Sequence, residues 1–155
     1  MTSNFPGKIY LKLLGSPQIY CDGTPVKVSR KRVRALLFYL AVQKSVPRSR
    51  LAFVFWPDRD PMVANNNLNI HISYLKNALG ESVITSDADF ISINPAIVSD
   101  VQQFDALAGK KEEDSMLEAL NLFHGPFLDG FSLQNAQPFE QWSMEMEAYF
   151  NNRFV

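Results

Sequence analysis

The chain has 155 residues, 46% of them hydrophobic, enough to bury a core as one domain or as one domain plus a further piece. A single cysteine, Cys21, excludes an internal disulfide framework and most structural zinc sites. The formal net charge of −1 hides a sharp asymmetry: residues 1–80 hold twelve Lys/Arg and three acids, +9, and residues 81–155 hold three Lys/Arg and thirteen acids, −10.

Such a split fits a first half that faces a polyanion, or two halves that attract each other. Residues 1–20 lack the apolar core of a secretory signal, and no apolar run approaches membrane-spanning length. A soluble, cytoplasmic protein with no membrane partner is expected.

Residues 1–7 read as an irregular start. Lys8 to Leu14 is rich in β-formers and reads as a strand. Gly15-Ser16-Pro17 is a turn, and Gln18 to Cys21 a second short strand. Asp22-Gly23 is the strongest hairpin signal in the chain and leads to a third strand over Pro25 to Val28. Arg32 to Val42 is helical, with Ser29 as its expected cap and Val33, Leu36, Leu37 and Leu40 as its apolar stripe. Arg30, Lys31, Arg32 and Arg34 crowd the positive end of this helix. That placement is unfavourable unless an anion is near, so the cluster is either solvated or a phosphate contact. Pro47 marks a break, and Ser49 to Phe55 is a short helix with Arg48 and Arg50 at its start.

A long helix follows from Asp60-Pro61 to Gly80. Its N-cap, its proline at the first helical position and its glycine stop are all in place. Leu68, Ile72, Leu75 and Leu79 make the buried stripe. Asn66, Ile70, Ser73 and Asn77 fall on the opposite side, with Tyr74 at its edge and Asn69 and Lys76 flanking. That face carries no acid. It is either a polar surface or a face that reads DNA, since amides pair with adenine edges and aliphatics touch thymine methyls. Val83 to Thr85 and Phe90 to Ile93 then form a hairpin around Asp87 and Asp89. Strands, three helices and a hairpin is the order of a winged helix, and the two helices before the hairpin are spaced as a helix-turn-helix pair.

Beyond Pro95 the chain is helical: Asp100 to Leu107, Ser115 to Phe123, and Pro138 to about Arg153. Between the last two lies an aromatic loop holding Phe127, Leu128 and Phe131. That loop plugs its own helical pair or offers a partner surface. Trp56 and Trp142 are expected core or interface anchors. The large apolar faces of the last helices fit a chain that associates with itself or continues into further domains. His71 and His124 are far apart and stand in no metal-ligand spacing. No phosphate loop or nucleophile motif is present, so neither a cofactor nor an enzyme activity is expected. His71 falls at the edge of the buried stripe, and Cys21 is expected to be packed rather than reactive.

Several stretches together resemble the Streptomyces antibiotic regulatory protein family. They are LKLLGSPQIYCDGTPV from Leu11, RKRVRALLFYLA from Arg30, RLAFVFWPD from Arg50, NNNLNIHISYLKNALG from Asn65 and VITSDADFISINP from Val83. LFHGPFLDGFSL from Leu122 and PFEQW from Pro138 extend the match over nearly the whole chain. The resemblance implies an α+β fold, with an OmpR-type winged helix over residues 1–96 and the first helices of a bacterial transcriptional activator domain over residues 97–155. It implies a sequence-specific regulator of transcription that binds double-stranded DNA; RNA polymerase, or further domains, is the partner expected of the acidic helical half in the alternative reading. A protein–protein interaction module of a larger regulatory protein is the alternative. In this assignment Asn66, Asn69, Ile70, Ser73, Tyr74 and Asn77 face bases. Arg30, Lys31, Arg32, Arg34, Arg48, Arg50 and Lys76 hold phosphates. Family members carry several arginines on the recognition helix, where this chain has Asn65, Asn69, Tyr74 and Asn77. Readout is therefore expected to lean toward adenine and thymine. The acidic hairpin tip is expected to be structural rather than inserted in the minor groove.

Overall fold

Among the described residues, two small sheets and six α-helices follow one another as strands, three helices, a hairpin and three further helices. The computed structural model describes residues 7–154; apart from Gly7, the irregular start expected at residues 1–7 lies outside them. In chain order the elements are β1 (Ile9–Lys12), β2 (Gln18–Cys21), β3 (Thr24–Val26), α1 (Lys31–Gln43), β4 (Ser45–Pro47), α2 (Arg48–Phe55) and α3 (Pro61–Leu79). They continue with β5 (Ile84–Ser86), β6 (Phe90–Ile93), β7 (Val98–Ser99), α4 (Asp100–Lys110), α5 (Glu113–Leu122) and α6 (Gln137–Asn151).

The first sheet has the order β3-β2-β1-β7. Ile9 and Leu11 point into the core while Tyr10 and Lys12 are partly exposed, as the two-residue period of a strand requires. Asp22 and Gly23 both have positive φ, 51° and 82°, the backbone that turns β2 into β3 without splaying the strands. The second sheet has the order β4-β6-β5, so the expected hairpin gains a third strand. Pro47, read from the sequence as a break, ends β4 opposite Phe90. A proline is tolerated there because β4 is an edge strand. The two-residue β7 carried no sequence signal; it pairs parallel to β1, Tyr10 opposite Val98 and Leu11 opposite Ser99.

Helix α3 follows its signals closely. Asp60 accepts a hydrogen bond from Met62 N at 3.4 Å, Pro61 opens the first turn, and Gly80, at φ 106°, ends it in a conformation few side chains adopt. Ala64, Leu68, Ile72, Leu75 and Leu79 are buried. Helix α1 departs from expectation. Arg30, not Ser29, is its N-cap residue, and no side chain caps it. Ala35, Phe38, Tyr39 and Ala41 are buried along with the expected stripe, so α1 is covered nearly all round.

The C-terminal helices supply that second cover. Phe127, Phe139 and Phe150 are fully buried in the same core as Leu11, Leu36 and Phe55, each contributing about 2–3 kcal/mol of burial. Phe139 lies 5.3 Å from Phe55, and Trp142 lies 4.6 Å from Tyr39, ring centre to ring centre. The core therefore runs without a break past residue 96, where the sequence marks a change of character. The aromatic loop joins this seam instead of only plugging its own helices. Leu128 N donates to Leu13 O at 2.8 Å, Leu14 bridges Phe127, and Phe131 meets Phe38 edge-on. Gly15, at φ 129°, backs onto Gly125 so tightly that a Cβ on Gly125 would sit 3.2 Å from Gly15 Cα. Asp100 closes the seam: its buried carboxylate accepts from Leu13 N at 2.7 Å and Leu14 N at 3.0 Å.

Candidate nucleic-acid interface

Helix α2 supports α3 from behind, and the buried stripe of α3 turns its other side outward. Asn66, Asn69, Ile70, Ser73, Tyr74 and Asn77 are all exposed there, Ile70 at 51% and Tyr74 at 39%. The helical spacing thus brings the six expected base-facing residues onto one open surface. Met62 and Val63 extend it at the first turn with apolar side chains that the sequence reading had not assigned to the face. Lys76 is partly buried beside it.

The expected phosphate contacts divide into two groups. Arg50 is exposed on α2 and makes no hydrogen bond or ion pair among the described residues, and Lys31 is exposed with its ammonium 5.4 Å from the Phe131 ring. Arg30 is exposed too, its guanidinium over the Tyr74 ring at 4.2 Å, so an expected base-facing residue and an expected phosphate-facing residue touch in the free protein. Arg32 and Arg34 are different. Arg32 is half-buried, donates to Phe55 O and, at 2.8 Å, to Gln134 O, and stacks near Trp56. Arg34 donates to Val28 O at 2.6 Å. The crowding of cations at the start of α1, which from sequence alone calls for an anion, is met by backbone carbonyls and aromatic faces for these two. Burial also pushes the Arg32 guanidinium below its ordinary value.

Arg48, the first residue of α2, ties the site together. Its Nη1 donates to Asn65 Oδ1 at 3.1 Å and to Asn69 Oδ1 at 2.7 Å. Its Nε donates to Asp87 O at 3.3 Å, and its backbone N to Asp89 O at 2.8 Å. The tip between β5 and β6 is itself a closed turn, with the Asp87 carboxylate accepting from Asp89 N and Phe90 N, both at 2.8 Å. Those donors hold the Asp87 carboxyl below its ordinary value. The acidic tip therefore has a structural task. Between it, α2 and the start of α3 lies a cleft of about 410 Å³ lined by Arg48, Phe53, Trp56, Arg59 and Asn65. Neither Asn65 nor Arg59 was among the expected contact residues. The position of Asn65 one helical turn before Asn69 was the available signal.

His71 sits at the boundary of the stripe, as its helical angle indicated. Its Nδ1 donates to Asn67 O at 2.8 Å, and its ring meets Trp56 edge-on at 4.9 Å. Burial first, then the charges of Arg32 and Arg30, push it below the ordinary histidine value against the pull of the Asn67 carbonyl. Cys21 is partly buried, and burial pushes its thiol up, which disfavours the reactive thiolate. Among the described residues no group of three or more His, Cys, Asp or Glu is placed to hold a metal, and no helix is long and apolar enough to cross a membrane.

In class, the described residues form a mixed α/β fold of two small sheets and six α-helices around one core. No family model and no curated protein matches the chain. Among solved structures its fold is similar to that of Mycobacterium tuberculosis EmbR in complex with a low-affinity phosphopeptide, with a TM-score of 0.70 at 22% identity. The likeness covers 94% of this chain and 43% of EmbR, so the chain spans less than half the length of that neighbour.

Proposed function

We propose that the chain is the DNA-binding part of a transcription regulator of the Streptomyces antibiotic regulatory protein type, acting by binding double-stranded DNA and not by catalysis. The observation that carries this reading is the exposed, acid-free face of α3 standing among cations on neighbouring elements. In this reading α3 lies in the major groove with Asn66, Asn69, Ile70, Ser73 and Asn77 toward base edges and Tyr74 at their margin. Arg30, Lys31, Arg50 and Lys76 lie toward phosphates, while the Arg48 guanidinium is taken up by Asn65, Asn69 and the Asp87 carbonyl. The fold likeness to EmbR supports the architecture that the reading needs.

Titration into a mixed-sequence duplex, followed by fluorescence anisotropy, tests it. Binding is expected at low salt and should weaken steeply as salt rises. Arg50→Ala should weaken binding to all duplexes alike, and Ile70→Ala should relax preference at one base pair. Absence of binding at low salt overturns the reading. A second role, protein–protein contact with RNA polymerase or with a further copy or domain, is favoured by the exposure of Leu117 and Leu120 on α5, at 55% and 48%.

A further inference from the structure

The contact between Arg48 and the two asparagines has a chemical direction. A guanidinium has donors only, so any amide it binds must turn its oxygen inward. Asn65 and Asn69 stand one turn apart on α3, and Arg48 Nη1 reaches Oδ1 of both, at 3.1 and 2.7 Å. The amide orientation at Asn69 is therefore fixed by chemistry. Asn65 is partly buried and Asn69 is exposed, and Asn69 Nδ2 makes no hydrogen bond among the described residues. The guanidinium is in turn immobilised by the tip, through Asp87 O and the Arg48 N to Asp89 O bond. An unconstrained asparagine offers an acceptor and a donor side by side and pairs with adenine N6 and N7. An asparagine with one lone pair of its oxygen taken by a guanidinium keeps both N–H hydrogens but only one further acceptor direction, which tips it toward donating.

We propose that Arg48 is a positioning residue that sets which base Asn69 reads, by presenting the Asn69 Nδ2 hydrogens to the paired acceptors O6 and N7 of a guanine. This rests on the DNA-binding reading above and changes it at one place. At Asn69 the lean toward adenine expected from the amide is replaced by a guanine preference. It also gives Arg48 a task other than holding a phosphate.

Selection of bound duplexes from a random pool tests the proposal, with the wild-type chain and with Asn69→Ala, Arg48→Met and Arg48→Lys. Asn69→Ala marks the position that Asn69 reads, as the base pair at which preference is lost. The wild type should select guanine there, and 7-deazaguanine at that position should weaken binding about tenfold. Arg48→Met should move that one position toward adenine and leave the others unchanged. Arg48→Lys keeps the charge but lacks the fork that spans two amides and the tip carbonyl. It should retain the salt dependence of binding while losing the guanine preference, and it decides the matter if Arg48→Met does not fold by circular dichroism. Adenine at the Asn69 position in the wild type overturns the proposal. So does an Arg48→Lys selection identical to the wild type. If the wild type selects no sequence at all, the DNA-binding reading falls and takes this inference with it.

Discussion

The two halves of the chain treat their side chains in opposite ways. The first half keeps the outer face of α3 open, with asparagines, a serine and an isoleucine in solvent. The second half sinks its largest aromatics, Phe127, Phe139 and Phe150, into the seam with the first. The residues that would read DNA therefore contribute little to the fold. Part of what holds the fold, Phe127, Phe139 and Phe150, lies far along the chain from the face it supports. Stability and recognition should respond separately to mutation, and four measurements rank how far that holds.

The largest effect is expected at the seam. Phe139→Ala removes a fully buried ring between Phe55, Phe131 and Trp142. It should lower stability by about 3–5 kcal/mol in urea unfolding, whereas Asn66→Ala should change it by less than about 0.5 kcal/mol. Equal losses would dissolve the contrast. Next is Asp100→Asn. An amide has one acceptor for the two N–H groups of Leu13 and Leu14, and its own N–H₂ would face the other. A loss of about 1–3 kcal/mol is expected, seen as a lower denaturation midpoint.

A sharper comparison sets two arginines side by side. Arg32→Gln should destabilise the fold by about 1 kcal/mol, the half-exposed position reducing the loss of its carbonyl contacts. Arg50→Gln should leave the unfolding curve unchanged and lower the salt slope of DNA binding by about one. If both variants lowered the salt slope and neither shifted the unfolding curve, the sequence-based grouping of the two as phosphate contacts would be the better one. The smallest effect belongs to His71. Its folded value lies below the ordinary 6.5, so the unfolded chain binds the extra proton. Its contribution is fully present above 6.5 and is lost as pH falls through that value toward the lower folded one. His71→Gln should flatten the fall in stability as pH drops below the ordinary 6.5.

Much of this architecture was legible in the sequence. Asp60, Pro61 and Gly80 bounded α3, and Leu68, Ile72, Leu75 and Leu79 fixed its inward side, so the outward residues followed from helical geometry. Asp22-Gly23 marked the β2–β3 hairpin. What escaped depended on partners distant in the chain. Ser45 to Pro47 has too little pattern to announce a strand, and it becomes one because β6 presents an edge. Val98-Ser99 is a strand only beside β1. Arg32 and Arg34 looked like a free cationic cluster because the carbonyls of Phe55 and Gln134 that receive Arg32 come from other elements. The Arg48 bond to Asn69 was hidden for the same reason. Each residue was assigned a role facing DNA, and nothing in their spacing says that they face each other.

The seam has a consequence for how the chain reaches its fold. Leu13 and the carboxylate of Asp100 that receives its N–H are 87 positions apart, and β1 waits for β7 over a similar span. A nascent chain emerging from the ribosome can close the β1–β2 hairpin and wind α1 early. Its first sheet still presents an unpaired edge until residues 98–100 have been made. Closure over so long a loop is entropically slow. Until it happens, α1 keeps uncovered the Phe38 and Tyr39 rings that Phe131 and Trp142 later cover. The interval between synthesis of α3 and arrival of α6 is thus when the chain is most exposed to aggregation and most in need of a chaperone.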